Sequence, residues 1–79
     1  PLRLTQAANP LVEAFRLERQ GDEQLETKQY GAAIQSFRQA IGQFQAVNQP
    51  DLGFNARRGL ARALLLAGDY PQAITIWQE

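Results

Sequence analysis

Charged side chains at helical spacing are the residues of this chain best placed to do chemistry. One set is acidic and contains Glu18, Asp22 and Glu26, and another is basic and contains Arg58 and Arg62. Residues three or four positions apart share a helix face, so each set is expected to form one patch. Carboxylates at this spacing are candidates for acid/base catalysis or calcium binding, and arginines for gripping carboxylates or backbone carbonyls.

The acidic patch is expected to be a solvated surface rather than a catalytic or metal site. Its carboxylates lie on one regular helix, without a loop that wraps an ion. They are Glu13, Glu18, Asp22, Glu23 and Glu26. The chain has no Cys and no His, which excludes thiolate nucleophiles, imidazole catalysis and the usual zinc sites. Its glycines Gly31, Gly42 and Gly53 are isolated and form no phosphate loop. We expect no catalysis, no metal and no cofactor.

The composition of the chain argues against nucleic acids and membranes as partners. The 79 residues are 44% hydrophobic and 20% charged, which is typical of one small globular domain. Eight basic residues balance eight acidic ones, so we expect no nucleic-acid binding. The longest apolar run, residues 63–67, is far shorter than the roughly 20 residues that span a bilayer, so no membrane contact is expected. A start at Pro1 predicts a fragment, and of the possible compartments the cytoplasm is favoured.

Four helices are expected from apolar spacing and capping residues. Asn9 and Pro10 are typical of a helix start, and residues 28–29 mark a break before the second helix. The second helix is expected to end at residues 48–50, with Asp51 as the next N-cap. Residues 68–71 form a turn, with Asp69 as N-cap of a last helix that looks shortened. Short breaks make successive helices antiparallel.

The chain also repeats itself with a shift of forty residues. Leu25 recurs as Leu65, and Gly21 recurs as the equally small Ala61. Tyr30, Ala33, Ile34 and Phe37 recur as Tyr70, Ala73, Ile74 and Trp77. A period of 20 to 50 residues is typical of stacked-repeat proteins, which present extended binding surfaces. A generic four-helix bundle is the alternative, but a bundle needs no matched residues at one shift.

These residues resemble the tetratricopeptide repeat. Residues 59–74 match its pattern, with a small residue, a Gly-Asp-Tyr turn and Ala-Ile, and the large aromatic residue follows at Trp77, four residues after Ala73. The first unit departs from it at Gln20 and at residues 28–29. The resemblance covers residues 11–79. This repeat has forty residues where the ordinary one has about 34, a long form similar to repeats in bacterial, notably cyanobacterial, scaffold proteins.

The resemblance implies an all-α fold of two stacked antiparallel helix-turn-helix hairpins. Residues 10–49 form the first unit and residues 50–79 the second, after a lead-in at residues 1–9 that is the end of a preceding helix or a loose strand. Ala33 and Ala73 would let the helices of each hairpin approach closely. Tyr30, Tyr70, Phe37 and Trp77 would fill the space between successive hairpins.

The resemblance further implies a non-catalytic interaction module that binds a peptide segment or a partner subunit on its concave face. The residues carried over to that face are Phe15, Glu18, Asp22 and Glu26 in the first unit and Asn55, Arg58, Arg62 and Leu66 in the second. The alternative is a structural or self-assembling module, or the regulatory arm of a larger enzyme or signalling protein.

Two interpretations of the charged face compete. Asn55, Arg58 and Arg62 would grip a peptide carboxylate or backbone carbonyls. Otherwise the acidic and basic patches, one repeat apart, pair across the groove, and this interpretation is favoured. Phe15 and Phe54 fit no stripe clearly; each is either core or a contact point, and Phe54 is expected to be core.

Self-association is expected through the end of the second hairpin, with the chain forming a homo-oligomer. Solenoid units leave an apolar face that only stacking covers. We expect Leu60, Leu64 and Ile76 to form a partly open surface there. Copies of the chain would join through it end to end, or by exchange of the terminal hairpin.

Overall fold

The described residues fold into four α-helices and one short 3₁₀ helix. The computed structural model of the chain describes residues 9–78, and within this range there is no strand. Helix α1 is Pro10–Glu26, α2 is Tyr30–Ala46, the 3₁₀ helix is Pro50–Gly53, α3 is Phe54–Leu66 and α4 is Tyr70–Gln78. The expected all-α class is therefore confirmed. The lead-in at residues 1–9 lies outside the described residues except for Asn9.

Three helix ends share one turn geometry at a spacing of twenty residues. Lys28, Asn48 and Gly68 have φ angles of 63°, 60° and 92°, in the left-handed region. After α1, the Gln29 N–H donates to the Gln24 carbonyl at 2.8 Å, and the bonds after α2 and α3 are equivalent. This pattern is the Schellman motif, which turns the chain back sharply. Each helix therefore ends sharply, and each pair of successive α-helices packs together.

The helix starts agree with the sequence at two sites and differ at one. The Asn9 side chain accepts hydrogen bonds from the backbone of the first turn of α1, and Asp69 accepts one from the Gln72 N–H at 3.3 Å. The expectation for Asp51 is wrong, because it lies inside the 3₁₀ helix and α3 begins at Phe54. A Cβ on Gly53 would lie 3.2 Å from the Phe44 ring, so the tight turn there packs onto α2.

Packing is closest where α3 crosses the first hairpin. Helix α3 contacts both α1 and α2, and α4 contacts α3. The Phe37 side chain is fully buried between two glycines: a Cβ on Gly21 would lie 2.8 Å from its ring, and one on Gly59 would lie 2.4 Å from it. Most of the remaining core residues are alanines, and the larger ones are Leu17, Phe44, Leu60 and Leu64. Small residues therefore set the short distances between helices.

A hydrogen-bonded triad replaces apolar packing in the first hairpin. Ser36 is buried, and its Oγ accepts a hydrogen bond from Gln20 Nε2 at 2.9 Å and donates to Gln24 Oε1 at 2.6 Å. The residues one repeat later are Leu60, Leu64 and Ile76, which pack together in the core. Gln20 therefore has a structural role, because its side chain satisfies a buried hydroxyl.

Several burial expectations for the second hairpin are wrong. Leu60 and Leu64 are buried against the core instead of forming an open surface. Tyr70 and Trp77 are exposed, because no described element lies beyond α4 to receive them. Phe54, expected in the core, is also exposed, because it is the first residue of α3 and lies beside the uncovered Trp77.

Candidate functional site

A charged groove runs between α1 and the second hairpin. Its volume is about 520 Å³. Helix α1 forms one wall, α3 forms the other, and Trp77 of α4 stands at the edge. The lining residues are Glu18, Asp22, Leu25, Asn55, Arg58, Gly59, Arg62, Leu65 and Trp77. We call this site the charged groove.

The α1 wall is acidic and partly shielded from water. Burial raises the pKa of Glu18, and the neighbouring Asp22 carboxylate raises it further. Burial also raises the pKa of Asp22, with a smaller contribution from Glu26. The Oε1 atom of Glu18 is buried and has no hydrogen-bond partner in the described part of the chain. This wall therefore favours a ligand group that donates a hydrogen bond or carries positive charge.

The α3 wall is basic and open to solvent. Arg58 and Arg62 are exposed at helical spacing, one turn apart, with Asn55 one turn before them. The Arg58 guanidinium carbon lies 5.9 Å from the centre of the Phe54 ring, a cation–π geometry that holds the side chain along the surface of α3. This wall therefore offers fork-shaped donors to a carboxylate or a carbonyl.

The acidic and basic walls of the groove form no direct ion pairs with each other. Among residues 9–78, no nitrogen of Arg58 or Arg62 lies within 4.0 Å of the carboxylate oxygens of Glu18 or Asp22. The favoured expectation of direct pairs across the groove is therefore wrong. Short ion contacts on α1 go elsewhere, as in the 2.6 Å contact from Arg16 to Glu13. The carboxylates of one wall and the guanidinium groups of the other are therefore both open to a third molecule.

Five of the carried-over residues meet at the charged groove, and three do not line it. Glu18, Asp22, Asn55, Arg58 and Arg62 form its walls. The Phe15 ring instead meets the Phe44 ring edge to face, with centres 5.1 Å apart. Leu66 and Glu26 are exposed but are not among the lining residues.

Sequence reasoning missed four residues that line the groove: Leu25, Gly59, Leu65 and Trp77. Each belongs to an apolar or small-residue stripe that the pattern assigns to packing. Leu25 and Leu65 are one repeat apart, and this equivalence was the signal that placed them on matching faces.

Neither a metal centre nor a membrane-spanning helix is found in the described part of the chain. Within residues 9–78, no three acidic, histidine or cysteine side chains converge on a position that would hold a metal ion. In the same range, no helix is long and apolar enough to cross a membrane.

Comparison with known proteins yields no relative of this chain. No family model matches it, and neither a curated protein nor a solved structure shows significant similarity to it. Statements about its function therefore rest on its own residues and geometry.

Replacing Glu18 by glutamine is expected to stabilise the protein near pH 7. A carboxyl group whose pKa is raised by folding stabilises the fold when protonated, and this contribution is lost as the pH rises through the folded pKa. Glutamine never ionises, so its advantage should shrink towards about pH 4, where glutamate is largely protonated. Urea unfolding at the two pH values measures the difference. Glu23→Gln, an exposed change on the same helix, is the control, and an equal gain at both pH values would contradict the expectation.

Proposed function

We propose that this chain is a non-catalytic protein-interaction module of the tetratricopeptide type, which binds an extended peptide segment of a partner in the charged groove. The observation that carries the proposal is that Glu18 and Asp22 line the same groove as Arg58 and Arg62 without direct ion pairs. The carboxylates and guanidinium groups of both walls are therefore available to bind a ligand. Unpaired charges that converge on one groove are typical of a recognition surface.

Repeat architecture supports the family assignment. The two hairpins end their first helices in the same turn, at Lys28 and at Gly68, forty residues apart. The small residues Gly21 and Gly59 admit the Phe37 ring between the hairpins. The long repeat supports a scaffold role in a bacterial protein, and the absence of Cys and His supports a non-catalytic one.

The side chains that line the groove indicate which peptide residues would bind there. An acidic residue of the peptide would lie against Arg58 and Arg62, with bidentate hydrogen bonds from the guanidinium groups. A basic residue or a backbone N–H would lie against Glu18, whose Oε1 has no partner among the described residues. The amide of Asn55 suits the peptide backbone, which offers both donors and acceptors. We therefore propose a segment that carries both charges, in register with the two walls.

Selection from a peptide display library tests the proposal. Peptides of about twelve residues have an extended length of roughly 40 Å, close to the largest dimension of the protein, 46 Å, so they are long enough to cross the groove in any direction. The enriched peptides are expected to combine an acidic and a basic residue at a constant spacing. Their affinity, measured by fluorescence anisotropy, should fall at least about tenfold in Arg58→Glu and in Arg62→Glu, and should weaken with added salt.

Arg19→Glu is the matched control, because it makes the same charge change on an exposed position of α1 that does not line the groove. Its affinity should equal that of the wild type. Equal affinity in all three variants would remove the groove from the binding site. The absence of any peptide that binds more tightly than about 1 mM would contradict the proposed function itself.

A further inference from the structure

The outer side of α4 carries an apolar surface that no described element covers. Tyr70, Ile74 and Trp77 lie one turn apart along α4 and form a stripe with exposed fractions of 58%, 56% and 60%. Phe54, 63% exposed, lies beside Trp77 in a shallow cleft and extends the stripe onto α3. We call these four residues the α4 face.

The first hairpin shows what this face is suited for. The residues forty positions earlier are Ala14, Tyr30, Ile34 and Phe37, and of these Ala14 and Phe37 are completely buried. Helix α3 packs against the first hairpin there, with Gly59 lying on the Phe37 ring. The α4 face therefore has the composition of a helix-packing interface, with three aromatic side chains and one isoleucine exposed side by side.

The opposite end of the molecule does not fit the α4 face. Helix α3 covers the first hairpin through Ala56, Gly59, Leu60 and Ala63. The residues forty positions earlier, on α1, are Arg16, Arg19, Gln20 and Glu23. Head-to-tail stacking of two copies would place Arg19 on Trp77 and desolvate further charges, which is costly without partners. The four residues of the α4 face of a second copy are uncharged and match the first in apolar character, and Arg57 and Arg58 lie beside them at the Phe54–Trp77 cleft.

We infer that the α4 face binds the α4 face of a second copy, so that the chain forms a two-fold symmetric dimer with its α4 helices antiparallel. Charge supports this orientation. Asp69 precedes the start of α4, whereas Arg58 lies beside Trp77 near the end of that helix. An antiparallel crossing brings Asp69 of each copy towards Arg58 of the other, and the two-fold axis makes this contact occur twice.

The size of the face predicts a weak dimer. An aromatic side chain buries about 150–250 Å² when fully covered. With roughly three-fifths of each ring exposed, the α4 face supplies on the order of 400 Å² of apolar surface per copy. A standard interface buries about 800 Å² per partner, so polar residues must supply the remainder. We expect a dissociation constant in the micromolar range.

Analytical ultracentrifugation of the 79-residue chain over a dilution series is the test. The expected result is a reversible equilibrium that saturates at two copies. Trp77 is the one tryptophan in the sequence, so its emission should shift to shorter wavelength as concentration rises and the ring becomes buried. Ile74→Glu and Trp77→Glu should raise the dissociation constant at least about tenfold, with helical content preserved because both positions are exposed.

Arg19→Glu is the control at the other end of the molecule, and its dissociation constant should be unchanged. Assemblies larger than two copies, or dissociation caused by Arg19→Glu, would show that the copies associate head to tail and would exclude the two-fold dimer. A folded Ile74→Glu variant that still dimerises as the wild type does would exclude the α4 face. A wild-type chain that stays monomeric at about 1 mM, with unchanged Trp77 emission, would overturn the inference.

Discussion

Phe37→Ala is expected to lower the free energy of unfolding by about 3–5 kcal/mol. The ring is completely buried where α1, α2 and α3 meet, so its loss leaves a cavity lined by Gly21 and Gly59, which have no side chains to fill it. A chain of this length has a total stability of roughly 4–12 kcal/mol, so the variant should be close to unfolding. Urea unfolding followed by circular dichroism measures the change.

The matched control for Phe37→Ala is Trp77→Ala, forty residues later. Trp77 occupies the equivalent repeat position but is 60% exposed, so its removal should cost about 1 kcal/mol or less at concentrations where the chain is monomeric. Similar losses in the two variants would show that exposure does not distinguish the two sites, and would contradict the burial of the Phe37 ring between the hairpins.

Gly59→Ala is expected to destabilise the protein by about 2–3 kcal/mol, although alanine is the better helix former. The new Cβ would lie 2.4 Å from Cζ of Phe37 and 2.5 Å from Cε1, so α3 or the ring must move. The Phe37 ring has little room to do so, since Gly21 lies against the same ring. The loss should appear in the midpoint of urea unfolding.

Gly42→Ala is the control, because a Cβ at Gly42 in α2 meets nothing within 4 Å. This change should stabilise the protein by about 0.5–1 kcal/mol through helix propensity alone. A second check is Phe37→Leu, in which the smaller side chain should reduce the cost of Gly59→Ala by about 1 kcal/mol, a coupling of the usual size for contacting residues. Additive effects in the double variant would show that the two residues do not meet.

Local structure followed from the sequence because it depends on residues only a few positions apart. Asn9 and Asp69 cap helices as expected, since each bonds to backbone groups two or three residues onward. The helix breaks at residues 28–29 and 48–50 were expected, and turns are found there. The same local rule placed Glu18 with Asp22, and Arg58 with Arg62, because helical spacing alone decides which side chains share a face.

Only the tertiary structure decided how far apart those faces lie and which apolar residues remain uncovered. Glu18 and Arg58 line the same groove without an ion pair, and their placement relative to each other depends on how α3 packs against α1 and α2. That packing is set by Gly59 against the ring of Phe37, a contact between residues more than twenty positions apart. The exposure of Trp77 likewise depends on whether another helix lies beyond α4. Residue spacing within one helix carries no information about the placement of the two charged walls or about the exposure of Trp77. Both are set by packing between helices.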